Sequence, residues 1–97
     1  MTVSLTDEQL RLVRGILDAV VPGAERLVFG SRLGRSHHPY SDLDIGILGE
    51  GPLPLSLLSA LDELFAESDL PFRVDVVDLH RVPAEFRRLV LANHVRI

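Results

Sequence analysis

The 97-residue chain has no cysteine, which excludes disulfides, thiolate catalysis and cysteine-ligated zinc. It also has no excess of positive charge, the net formal charge being −4. Surfaces that grip nucleic acid through its phosphates carry the opposite balance, so DNA or RNA is disfavoured as a direct substrate. No apolar run approaches the roughly 20 residues that span a bilayer, and no basic segment leads into an apolar one at the start. Neither a membrane span nor a secretory leader is therefore expected. Repeats and low-complexity tracts are missing too. What is present is ordinary for a globular protein, with 46% apolar and 25% charged residues. The length suits one domain over residues 1–97 with a modest core, expected in the cytoplasm.

Thr6 and Gln9 have the spacing of a capping box. Leu10, Val13, Ile16, Leu17 and Val20 follow at helical spacing, and Pro22-Gly23 ends that helix. Residues 26–29 form a short strand stopped by Gly30, and residues 32–41 are polar and irregular. Residues 42–48 read as a second strand and 55–65 as a second helix, with Leu57, Leu58, Leu61, Leu64 and Phe65 on its apolar face. A third strand covers 72–79. Pro83 suits the first turn of a last helix whose buried stripe is Phe86, Leu89 and Val90. This order predicts an α+β fold with a small mixed sheet of three or more strands flanked by helices.

The chemistry concentrates around one frame. Gly30-Ser31 is followed by ten residues and then by Asp42-Leu43-Asp44. Residues i and i+2 of a strand share a face, so Asp42 and Asp44 aim together while Leu43, Ile45 and Ile47 point into the core. Two carboxylates beside a Gly-Ser turn are what a site for Mg²⁺ and nucleotide phosphates needs. Acidic residues are poor strand formers, which argues against an idle solvated edge. The third strand offers Asp75 and Asp78. Parity sets Asp75 opposite Val74 and Val76, on the side of Asp42 and Asp44. Asp78 shares the valines' face and reads as a strand end or an arginine's partner. Asp42, Asp44 and Asp75 together suffice to hold two Mg²⁺ ions around a nucleoside triphosphate.

Gly30, Ser31, Asp42, Asp44 and Asp75 in this arrangement resemble the nucleotidyltransferase superfamily of the DNA polymerase beta type. More narrowly, the chain looks like its minimal branch, the MNT-domain antitoxins that act beside HEPN-domain toxins. The resemblance runs from the leading helix to the strand with Asp75. It implies the polymerase beta-like fold and transfer of AMP from ATP, with Mg²⁺ held by Asp42, Asp44 and Asp75. Gly30 and Ser31 would then hold the β- and γ-phosphates, with Arg32 or Arg35 clamping one of them. The implied partner is a HEPN ribonuclease toxin modified on a tyrosine hydroxyl, in a homo- or hetero-oligomer. Two other readings stay open: an antitoxin that neutralises by binding alone, and a transferase acting on a small hydroxylated molecule such as an aminoglycoside.

The remaining features have plainer readings. His37-His38 are adjacent, cannot readily share one ion, and belong to a solvated loop. Tyr40, the one tyrosine, is expected to pack under that loop. Arg81, Arg87, Arg88 and Arg96 read as a solvated basic face. Leu53-Pro54-Leu55 and Val95-Arg96-Ile97 are candidate partner contacts.

Overall fold

Thr6 starts the first helix as its spacing predicts. In the computed structural model, which describes residues 3–34 and 40–97, its hydroxyl accepts from Gln9 N while the Gln9 side chain accepts from Thr6 N. That reciprocal cap satisfies two amide groups the helix leaves over. Helix α1 (Asp7–Val20) is followed by β1 (Glu25–Phe29), a 3₁₀ turn (Gly30–Arg32), β2 (Leu43–Leu48), α2 (Leu55–Ala66), β3 (Val74–Asp78), α3 (Ala84–Ala92) and β4 (Val95–Arg96).

The strands form a four-stranded mixed sheet in the order β3-β2-β1-β4. Strand β1 is antiparallel to β2 and β4, and β2 is parallel to β3, with α2 as the crossover a parallel pair requires. The expectation of three or more strands holds, and the fourth is the two-residue β4. Asp42 lies one residue ahead of its strand rather than inside it, and β3 is shorter at both ends than the expected 72–79.

Alternation along the strands divides the molecule into two layers. Val28, Leu43, Ile45, Ile47 and Val74 point to one face and pack with Val13 and Leu17 of α1 and Leu61 and Phe65 of α2. Leu27, Phe29, Leu48 and Val77 point to the other, where Leu79, Val82 and Val90 of α3 meet them. Only Val90 of the predicted α3 stripe is buried. Phe86 is 38% and Leu89 64% exposed, because α3 covers only part of this second face. The Asp44 end of the face is left to polar side chains.

Gly46 sets the depth of that second layer. It occupies the position on β2 between Asp44 and Leu48, and a Cβ there would stand 2.9–3.1 Å from Cγ and both Cδ atoms of buried Leu79. Gly46→Ala is expected to cost about 1–3 kcal/mol through overpacking, measured by denaturant unfolding, with the m-value unchanged.

Candidate active site

Sheet register brings the predicted carboxylates together. Asp44 pairs with Asp75 across the parallel β2–β3 ladder and with Phe29 across the antiparallel β1–β2 ladder. One row therefore runs Asp75, Asp44, Phe29 across the sheet. Asp42 lies exposed just before β2, where Leu43 N donates to Arg73 O at 2.9 Å. Burial raises the Asp44 carboxyl above the usual aspartate range, and the charges of Asp75 and then Asp42 push it further. Asp75 and Asp42 are thus each within electrostatic reach of Asp44.

Gly30 closes the other side. It follows β1 with φ of 81°, a conformation that a side chain disfavours. A Cβ here would also overlap Oδ2 of Asp44. The glycine is required by both backbone and space. Ser31 is exposed, and its hydroxyl makes one long contact to Asp42 O at 3.5 Å, joining the turn to the carboxylate-bearing segment. The exposed amides and hydroxyl of this turn can meet an anion beside the acidic row.

Arg32 is a correction. The sequence presents it as one of two candidates for a phosphate clamp, but it is 3% exposed. Its Nε donates to Ser41 O at 3.0 Å and its Nη1 to Ser4 O at 2.8 Å, and the guanidinium lies 3.9 Å above the Phe72 ring. Burial also draws its pKa below the ordinary arginine value. In this position it fastens the turn to the segments leading into β2 and β3. The other candidate, Arg35, and His37-His38 lie outside the described residues. Tyr40, expected under the loop, is 67% exposed.

Asp78 has a supporting role. Buried at the far end of β3, it accepts from Leu53 N at 2.7 Å and His80 N at 2.9 Å, with Arg81 Nε at 3.5 Å. It anchors the loop before α2, in keeping with its parity. Sequence reasoning missed Phe29 and Phe86, whose rings meet edge to face at 5.8 Å and wall the Gly30 side of the site. The only signal was Phe29 standing directly before Gly30.

The donors suit a hard divalent cation, since carboxylate oxygens are what Mg²⁺ selects. They are not closed around a common point: among the described residues, no three His, Cys, Asp or Glu side chains are gathered as an ion's ligands. Such spacing is natural for carboxylates that repel one another. Among the described residues, no helix is long and apolar enough to cross a membrane.

Two outcomes follow from this geometry. In metal-free buffer, Asp44→Asn is expected to raise Tm by a few degrees, about 1 kcal/mol or less after solvent screening. Because the folded state raises the Asp44 pKa, stability is lost as pH rises through that range. The gain from Asn is therefore largest at neutral pH and vanishes below the usual aspartate range, where both states are protonated. Thermal scans of both proteins across pH check this. Gly30→Ala is expected to cost about 1–3 kcal/mol in denaturant unfolding, since its Cβ would meet the Asp44 carboxylate and its φ of 81° disfavours a side chain.

Comparison with known proteins follows the same lines. The model of the Polymerase beta, Nucleotidyltransferase family matches residues 25–97. Over 95 residues the chain is 38% identical to a probable protein adenylyltransferase MntA of Haemophilus influenzae, spanning 98% of this chain and 83% of that protein. A crystal structure of a toxin–antitoxin with AMP-PNP aligns at TM-score 0.75 and 25% identity, over 89% of this chain and 69% of that one. A toxin–antitoxin MntA–HpeT mutant with two aspartates changed to glutamate aligns at TM-score 0.72 and 22% identity, over 95% of this chain and 71% of that one. The family match spans the sheet that carries the carboxylate row and the Gly-Ser turn, and this chain belongs to the polymerase beta nucleotidyltransferase family.

Proposed function

We propose that this chain is a protein adenylyltransferase that transfers AMP from ATP to a hydroxyl of a partner toxin and so acts as its antitoxin. The observation that carries the reading is the row of Asp75 and Asp44 beside Asp42 and Gly30. It is supported by 38% identity to a protein named as an adenylyltransferase and by fold likeness to toxin–antitoxin structures, one of them with AMP-PNP.

Asp42, Asp44 and Asp75 would hold Mg²⁺, their mutual repulsion relieved by the cation. When bound, Mg²⁺ offsets charge on the phosphates and lowers the pKa of the attacking hydroxyl. Gly30 lets the phosphates approach the backbone, and the amides of the turn with the Ser31 hydroxyl hold the β- and γ-phosphates. With Arg32 committed to the interior, Arg35 is left as the sequence's candidate for a bidentate phosphate clamp. Asp75 lies at the exposed edge strand of the sheet. That edge is the side from which an acceptor hydroxyl carried by another macromolecule reaches the α-phosphorus. The hydroxyl oxygen bonds to phosphorus, pyrophosphate leaves, and the hydroxyl proton passes to a carboxylate or to solvent.

The acceptor we assign is a tyrosine hydroxyl of a HEPN-domain ribonuclease. AMP placed there adds bulk and negative charge where RNA must bind, which blocks the toxin by both routes. Intact-mass spectrometry of the HEPN partner, incubated with this chain, ATP and Mg²⁺, tests the reading. The expected result is a gain of whole AMP units, abolished in the Asp42→Asn/Asp44→Asn variant. An unchanged mass together with a stable complex would instead make the chain a binding antitoxin.

A further inference from the structure

The β2–β3 register continues one row beyond the paired aspartates. Asp44 pairs with Asp75 and Leu43 with Val74, and Leu43 N donates to Arg73 O at 2.9 Å. Arg73 therefore stands across from Asp42, and parity sets its side chain on the face of Asp75. Two residues span roughly 6.6 Å of strand, within the reach of an arginine. Along this end of the sheet the order runs Gly30-Ser31 after β1, Asp42 before β2 and Arg73 before β3. Arg73 is exposed and forms no ion pair among the described residues, and the residues outside them include no Asp or Glu. Next to it, between α2 and β3, lies a cavity of about 420 Å³. Its floor is the buried Phe65, Phe72 and Val74, and its rim the exposed Asp62, Ala66 and Arg73. Because β3 is an edge strand, this cavity lies on the flank of the sheet.

We propose that this cavity is the docking subsite for the acceptor protein. An apolar side chain near the acceptor hydroxyl seats on Phe65, Phe72 and Val74, and Arg73 donates to main-chain carbonyls of the same segment. The proposal rests on the adenylyltransferase reading and adds to it where the acceptor is gripped. An in-line displacement puts the attacking and leaving oxygens on opposite sides of the phosphorus. With pyrophosphate toward the Gly30-Ser31 turn, the hydroxyl comes from the β3 side, where Arg73 and the cavity stand. An acidic row offers a neutral hydroxyl little grip, so its carrier needs an anchor close by. An apolar floor inside a polar rim is the arrangement that concentrates binding energy in a protein interface. The charges around Arg73 define what it holds. Asp42 and Asp75 flank it and Asp62 lines the same cavity. A partner's carboxylate is repelled there, which leaves neutral carbonyls as the acceptors this guanidinium takes.

Steady-state AMP transfer to the HEPN partner, together with the Kd of the complex, tests the assignment. Ala66→Trp places an indole at the cavity mouth from an exposed position at the end of α2. It is expected to raise both the KM for the partner and the Kd about tenfold, while ATP affinity and Tm stay at wild-type values. Arg73→Ala should raise the same KM about fivefold, and Arg73→Lys by less, since an ammonium keeps part of the hydrogen bonding. These increases should persist in high salt, because the acceptors are neutral. Wild-type KM and Kd in both Ala66→Trp and Arg73→Ala would overturn the proposal and leave AMP transfer standing. Weakened ATP binding in Ala66→Trp would also overturn it, by giving the cavity to the nucleotide. So would a change in the sedimentation of the chain alone, which would give the cavity to a second copy. If wild type binds the partner without modifying it, the transfer reading falls and the Kd values of the two variants decide the docking site. If wild type neither binds nor modifies it, both fall.

Discussion

A buried guanidinium holds the site's three sources together. Arg32 bonds to Ser4 O and Ser41 O and lies over Phe72. Its own backbone belongs to the Gly30–Arg32 turn, Ser41 directly precedes Asp42, and Phe72 stands three residues ahead of Asp75. Arginine suits this task because its planar fork satisfies carbonyls in separate directions while its face packs on an aromatic ring. A buried cation is costly unless its donors are met, so the tie constrains every segment that meets them. The chain before α1 is drawn in as well: Ser4 N donates to Arg32 O at 2.9 Å, the Ser4 hydroxyl bonds to Gly34 O, and Val3 bridges to Leu33.

On this frame the sheet separates structure from chemistry by parity. One face of β2 is fully buried against α1 and α2, and the other holds Asp44 and Gly46. The covered face supplies most of the apolar burial and the open face is freed for charge. Three aspartates near one another are a stability cost that a protein retains for function rather than for its fold. The burial and neighbouring charges that raise the Asp44 carboxyl are the same features that favour a cation there.

Much of this was readable in the sequence because the signals are local. The capping box at Thr6 and Gln9, the alternation around Asp42 and Asp44, and the parity of Asp75 against Val74 each depend on a few adjacent residues. What escaped depends on distant ones. Strand β4 has two residues and no alternation to read; it forms because β1 offers a free edge, with Ile97 N donating to Arg26 O at 3.0 Å. Arg32 stands in the sequence as a candidate phosphate clamp because its carbonyl partners carry no sequence signature. Leu89 sits in a helical apolar pattern that predicts burial, yet the sheet face beneath it is only partly covered. An apolar residue exposed beside the Gly30 turn is visible only once the turn and the helix share a surface.

The contact between Gly30 and Asp44 has a consequence for how such a chain can change. The carboxylate already fills the volume where a Cβ at Gly30 would go, so the two positions divide one space between them. Bulk gained at one is room lost to the other. Substitutions at these two sites are therefore not independent events, and a descendant that has lost the aspartate is released from the need for glycine as far as space is concerned. Only the φ of 81° still favours it. In relatives of this chain, the spatial part of the constraint on the glycine should decay together with the carboxylate, so the two positions are expected to vary as a pair.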